Sequence, residues 1–270
     1  MPLFRTRRPT ADAIDLERRI EQADEALENG ESRLALRIAD GVLKDAGRES
    51  PEAVSAQVVR AEALRAMERF ADAEKAAARA CEWDPEDGAA WFERALAAYR
   101  LARFEDAAAW LEESVHLEPD EAHAWNALGR VRIWLEEKDA AKDAFRRAAS
   151  LDPEHFVVPL RIAAFEFDRI AGEVWKQIPM AFKERMENTI VAVEELPDVE
   201  DVEDGTDPDL LGLYSGATAL GDDFPERILL FQRNHENTCA TLGELVEEIR
   251  RTILHEVGHH FGMDHDELPY

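Results

Sequence analysis

The chain is short of basic residues and of cysteine, and it has no long apolar run. Lysine and arginine number 32 against 59 aspartates and glutamates, a formal net charge of −27. Such an excess of negative charge repels a nucleic-acid backbone or an anionic membrane, so neither is expected as a partner, whereas a protein or peptide is compatible with it. The two cysteines, Cys81 and Cys239, lie far apart and form neither a metal-ligand spacing nor a disulfide framework. They read as reduced thiols of a cytoplasmic protein. Nothing approaches the ~20 apolar residues of a spanning helix. The basic start, "MPLFRTRRPTADAIDLERR", lacks the apolar run of a secretory signal. A soluble, cytoplasmic protein is expected. Its 270 residues, 46% hydrophobic, suffice for a sizeable core and for two domains.

What is present, first, is a repeat. Pro51, Pro85, Pro119 and Pro153 are spaced 34 residues apart, the last three within "WDPED", "LEPDE" and "LDPEH". Small residues recur in register with them: Ala39, Ala73, Ala107 and Ala141, then Ala46, Ala80, Ser114 and Ala148. Leu43, Ala77, Leu111 and Phe145 form a further column, and Trp91 and Trp125 another. Each unit is expected to be a pair of antiparallel helices, with small residues where backbones approach and a proline opening the turn into the next pair. Such units bury their apolar faces only by stacking. The segment "AWNALGRVRIWLEEKDAAKDAFRRAASLDP" resembles a tetratricopeptide repeat in its Trp, Leu-Gly, Ala, Phe, Ala and Pro positions. The resemblance implies a curved helical stack whose concave face binds a protein or peptide. Four units fit between about Glu17 and Asp152, and the helix after "PEHFVVPL" is expected to cap them, giving a repeat domain over 17–168.

After Pro179 the pattern changes. "ENTIVAVEEL", "LLGLYSGAT" and "ERILLFQRN" read as strands. Between the first two, "EELPDVEDVEDGTDPD" is dense in carboxylates and reads as a solvated loop. A helix then starts legibly, with Thr241 and Glu244 of "TLGE" placed for a capping box. Leu242, Leu245, Val246, Ile249, Ile253 and Val257 follow at helical spacing, and Gly262 is the expected stop.

Four of the eight histidines fall at the end of this helix, in "LHEVGHHFGMDHDELPY". His255 and His259, four residues apart, share a helix face and can hold one cation, for which zinc is the usual choice. Glu256, in an HExxH pattern, does not ligate; it takes a proton from the metal-activated water. A third ligand must come from beyond a turn at Gly262. His265 completes an HExxHxxGxxH pattern, and Asp264 and Asp266 beside it can also ligate. His260 points away from the ligand face and reads as a packing residue or as one that supports the site from behind. Tyr214 and Tyr270 are candidate oxyanion donors, and each reads more simply as packing or surface.

This region resembles the metzincin zinc peptidases but lacks their downstream methionine turn. It is more similar to the small bacterial zincin-like metallopeptidases, from about Ile170 to Leu268, through "LLGLYSG", "ERILLFQR" and "RRTILHEVGHHFGMDHDEL". Many members of that family carry Asp where this chain has His265. The resemblance implies a short sheet packed on helices, with the active-site helix last, over 171–270. The expected fold is therefore α+β and mostly helical: a tetratricopeptide α-solenoid followed by a small zincin-like domain. Two functions compete. One is a zinc peptidase whose repeats recruit a protein partner or substrate. The other is a repeat scaffold with a structural or vestigial zinc site.

Overall fold

The computed structural model describes residues 11–183, 186, 189–215 and 226–261. The chain divides into two compact units, 1–131 and 132–270. Among the described residues no helix is long and apolar enough to cross a membrane.

The first unit holds α1 (Ala11–Glu28), α2 (Ser32–Asp45), α3 (Pro51–Ala66), α4 (Phe70–Trp83), α5 (Gly88–Arg100), α6 (Phe104–Leu117) and most of α7 (Ala122–Trp134). From α1 to α6 each helix packs on the next, and α1, α3 and α5 also touch in series. The small-residue columns are where the helices meet: Ala73, Ala80 and Ala107 are fully buried. The indoles of Trp91 and Trp125 donate to the carbonyls of Pro85 and Pro119, each at 2.9 Å, so the aromatic of one helix fastens the turn that precedes it.

The first repeat is out of register with the expected columns. Helices α4, α6 and α8 (Lys138–Leu151) begin 34 residues apart, but α2 begins four residues early relative to them. Ala35, Ala39 and Val42 are its buried residues; of the expected Ala39, Leu43 and Ala46, Ala39 alone is among them. The displacement arises next door. Ser50 accepts from the Ala53 N–H and Pro51 takes the first helical position, so α3 has 16 residues where α5 has 13. Pro51 thus starts a helix, while Pro85 and Pro119 lie in turns.

Each pair is closed by a residue in the left-handed region: Gly30 (φ 75°), Glu68 (58°), Ala102 (56°) and Glu136 (59°). The next residue's N–H reaches back into the helix just ended, as Arg103 does to Ala98 O at 3.0 Å. Only the first repeat uses glycine there.

In the second unit α8 is followed by an extended stretch to Ala163, then α9 (Ala164–Gln177), α10 (Met180–Lys183), β1 (Thr189–Glu194), α11 (Val199–Glu203), β2 (Gly212–Ser215), β3 (Glu226–Phe231), α12 (Gln232–Asn237) and α13 (Leu242–His260). The sheet order is β1-β3-β2, with β1 parallel and β2 antiparallel to β3. One core joins Phe167, Ile170 and Val174 of α9 to Ile228 and Leu230 of β3 and to Leu245, Ile249, Ile253 and Val257 of α13. Helix α9, expected as a cap on the repeats, therefore turns its apolar face to the sheet and α13. Burial of this kind stabilises by roughly 1.5–3 kcal/mol per large apolar side chain.

Two buried polar groups brace the core. Glu236, wholly buried, accepts from the Ile162 N–H at 3.1 Å, Gln232 Nε2 at 2.8 Å and Arg233 Nη1 at 2.9 Å, and lies 3.3 Å from Arg161 Nη1. That satisfies a carboxylate which would otherwise be costly to bury. His235, also wholly buried, has Nδ1 2.9 Å from Phe231 O and Nε2 3.0 Å from Thr252 Oγ1. A carbonyl can only accept, so Nδ1 carries the proton and Nε2 faces the Thr252 hydroxyl, which also reaches Glu248 O at 3.0 Å. Burial holds this imidazole neutral, with its pKa pushed down to about 4.

Two outcomes are expected. Ala102→Gly should stabilise the chain by about 1 kcal/mol, because glycine takes the left-handed conformation without a Cβ clash; the midpoint of urea unfolding reads it, and Ala102→Val should move it the other way. For His235 the folded pKa lies below the ordinary 6.5. The unfolded chain therefore binds the extra proton, and stability falls as pH drops from 6.5 towards 4, by on the order of 3 kcal/mol from this group. Unfolding free energies across that window should decline less steeply in His235→Asn, whose neutral amide does not titrate.

Candidate active site

Helix α13 is set by its start. Thr241 Oγ1 accepts from the Glu244 N–H at 3.3 Å, and Glu244 Oε2 accepts from the Thr241 N–H at 3.1 Å, completing the expected capping box. Leu242, ahead of the buried stripe, is exposed. The helix runs to His260, and the Phe261 N–H closes it on Gly258 O at 3.0 Å.

With this phase fixed, two i,i+4 pairs emerge at the C-terminal end. His255 is half-buried and His259 exposed, and their Nε2 atoms approach to 2.9 Å. Two imidazole nitrogens aimed at one another from adjacent turns suit a shared cation, and zinc takes imidazole nitrogen at ~2.0–2.1 Å. The donor set therefore fits the metal implied by the sequence. Among the described residues no group of three metal-ligating side chains occurs. Gly262, Asp264, His265, Asp266 and Tyr270 lie outside the described residues.

Glu256 and His260, the second pair, face the sheet. Glu256 is 5% exposed, and its Oε2 accepts from the Tyr214 N–H at 2.8 Å. Burial pushes this carboxyl up to about 7, with the Tyr214 N–H pulling the other way. A group of that pKa can take and return a proton at neutral pH. The Tyr214 hydroxyl lies 2.8 Å from His260 Nδ1. Burial, then the hydrogen bond and charge of Glu226, push the phenol up to about 12. Tyr214 is thus bound to α13 by its side chain and does not line the cleft described next. His260, expected as a packing or supporting residue, has a specific partner.

Strand β2 comes this close because residue 212 is glycine. A Cβ there would fall 2.5 Å from Thr252 Cγ2 and 3.1 Å from Leu229 O. The gap between helix and strand opens into a cleft of about 430 Å³ lined by His255, Glu256, Thr252, Gly212, Asp207 and Asp209, among others. A larger cavity of about 720 Å³, beside Phe145 and Arg161, contains none of these groups. The smaller one is lined by His255 and Glu256.

The acidic stretch departs from the solvated loop expected of it. It contains α11, whose Val202 is buried. Asn234, 3% exposed, donates to Pro208 O at 2.9 Å and Leu210 O at 2.8 Å, fixing the segment as a wall of the cleft. Sequence reasoning passed over Asn234, His235 and Glu236. The one available signal was a polar run, "QRNHEN", following directly on an apolar strand.

Residues 186–270 match the family described as zincin-like metallopeptidase. Residues 20–82, 58–122 and 122–155 match tetratricopeptide-repeat families. The chain thus carries N-terminal tetratricopeptide repeats and a C-terminal zincin-like metallopeptidase domain. No curated protein matches it. Similar solved structures include MamA from residue 41 to its end from Desulfovibrio magneticus RS-1, at 19% identity, covering 51% of this chain and 76% of that one with a TM-score of 0.43. Another is the thermophilic tetratricopeptide-repeat protein TTC0263 of Thermus thermophilus, at 20% identity, covering 52% and 75% with a TM-score of 0.45. A third is the first tetratricopeptide-repeat domain of human RPAP3, at 21% identity, covering 46% and 94% with a TM-score of 0.42.

Gly212→Ala should part β2 from α13. The Tyr214 amide, now bonded to Glu256, should lose protection from hydrogen exchange, with a stability loss of roughly 1–3 kcal/mol from overpacking.

Proposed function

We propose that this protein is a zinc-dependent peptidase whose tetratricopeptide repeats recruit a protein partner or substrate to the C-terminal zincin-like domain. The observation that carries the reading is the pairing on one helix end. His255 and His259 converge their Nε2 atoms to 2.9 Å, and the neighbouring Glu256 is a buried carboxyl opening on the same cleft.

His255 and His259 would hold the metal with His265 as third ligand; Asp264 and Asp266 are the alternatives to His265. Zinc, when bound, supplies a Lewis acid that polarises a carbonyl and makes water acidic near neutral pH. Glu256 takes the proton of the attacking water and returns it to the leaving amine. The Tyr214 N–H holds Glu256 Oε2, which leaves its other oxygen for that transfer. Thr252 and Gly212 form the close-packed side of the cleft, and the Asn234-braced segment forms the facing wall. The concave face of the repeats binds the partner, and the two unpaired, buried thiols support a cytoplasmic setting.

The purified chain should contain about one zinc. Glu256→Gln should keep the metal and lose ~10²–10⁴-fold in peptide hydrolysis, the usual worth of a general base. Metal analysis together with proteome-wide cleavage by wild type and variant checks both. A zinc-loaded chain that cleaves no peptide would overturn the peptidase reading and leave the repeat scaffold with a structural zinc.

A further inference from the structure

We propose that His260 is a positioning residue for Glu256, acting through Tyr214. Glu256 and His260 are four residues apart on α13 and share the face turned to the sheet, one step round from the face of His255 and His259. Both grip the same residue of β2, at different points. Glu256 Oε2 accepts the main-chain N–H of Tyr214 at 2.8 Å, and His260 Nδ1 meets the Tyr214 hydroxyl at 2.8 Å. The rings of Tyr214 and His260 also meet edge to face, with centroids 5.4 Å apart.

The clamp is itself anchored from the far side of the sheet. Glu226 Oε2 lies 3.3 Å from His260 Nδ1 and accepts from Thr189 Oγ1 at 2.9 Å. Thr189 and Glu226 face each other across β1 and β3. The Tyr214 hydroxyl is also hydrogen-bonded to Glu226, so Thr189, Glu226, His260 and Tyr214 form one cluster that spans all three strands. Tyr214 sits on β2, an outer strand of the sheet among the described residues, and its N–H points towards α13 instead of into the ladder with β3. Without the side-chain grip, a four-residue strand would hold that N–H only by its pairing to β3. With it, the N–H has one direction, and so does the carboxylate it orients. The run Glu256 to His260 thereby interleaves two i,i+4 pairs, one aimed at a cation and one at a strand.

The catalytic consequence rests on the peptidase reading; the clamp does not, and the test separates them. Amide hydrogen exchange, resolved by residue on the full chain, is measured for wild type, Glu256→Ala, Tyr214→Phe, His260→Leu and His260→Asn. In Glu256→Ala, Tyr214→Phe and His260→Leu the amide at position 214 should exchange about 10-fold faster, the worth of one such hydrogen bond. The amides of Val191 and Ile228 in the β1–β3 ladder should keep their rates. His260→Asn, whose side chain can place a polar atom near the Nδ1 position, should restore protection. Zinc content should be the same in His260→Leu as in wild type, and hydrolysis should fall in kcat with KM unchanged. Unchanged exchange at 214 in His260→Leu and Tyr214→Phe would overturn the proposal, as would a uniform rise across the sheet or loss of zinc in His260→Leu. The expected exchange pattern in a chain that cleaves nothing would sink the peptidase reading and leave the clamp standing. Hydrolysis that depends on Glu256 but not on His260 would overturn the positioning role of His260 and leave the peptidase reading standing.

Discussion

Helix α13 must be buried along one side and open along the other, and the C-terminal domain is arranged around that demand. Leu245, Ile249, Ile253 and Val257 commit one stripe to the core with α9 and β3. The adjoining stripe, with Thr252 and Glu256, meets a strand so closely that only glycine fits at residue 212. The remaining face carries His255 and His259 outward. A rotation of the helix by one residue, about 100°, would bury His255 or His259 and expose an apolar anchor. The capping box at Thr241 and Glu244 is where that phase is set, nearly the whole helix length away from the chemistry.

The same geometry explains why a carboxyl with a perturbed pKa sits there. Glu256 lies between helix and strand with a single backbone donor, and one hydrogen bond does not offset the desolvation of a carboxylate. Glu236, equally buried, has guanidinium groups and several donors around it. One carboxylate braces the structure; the other is left poised to exchange a proton.

Much of this was legible in the sequence, for identifiable reasons. The helix pairs, the three strands and the start of α13 follow from periodicity, proline spacing and a local cap, all of which act over a few residues. The convergence of His255 and His259 is legible because helical spacing alone fixes it. What escaped depends on contacts distant along the chain. The role of α9 depends on β3 and α13, and the order within the acidic stretch depends on Asn234, more than twenty residues on. Whether His260 packs or supports the site is undecided in the sequence until β2 is placed beside it. The register of the first repeat escaped for a different reason: a 34-residue proline spacing held while Pro51 changed from a turn residue to a helix start.

The match to the zincin-like family begins at residue 186, yet the folded unit does not begin there. Its core includes Phe167 and Val174, and the buried Glu236 takes the Ile162 N–H and the Arg161 guanidinium as partners. Cutting the chain at the family boundary would strip an apolar layer from one side of α13 and leave a carboxylate short of two of its donors. The border that homology draws and the border that physics draws are some twenty-five residues apart, and the missing strip is the part that leads back to the repeats.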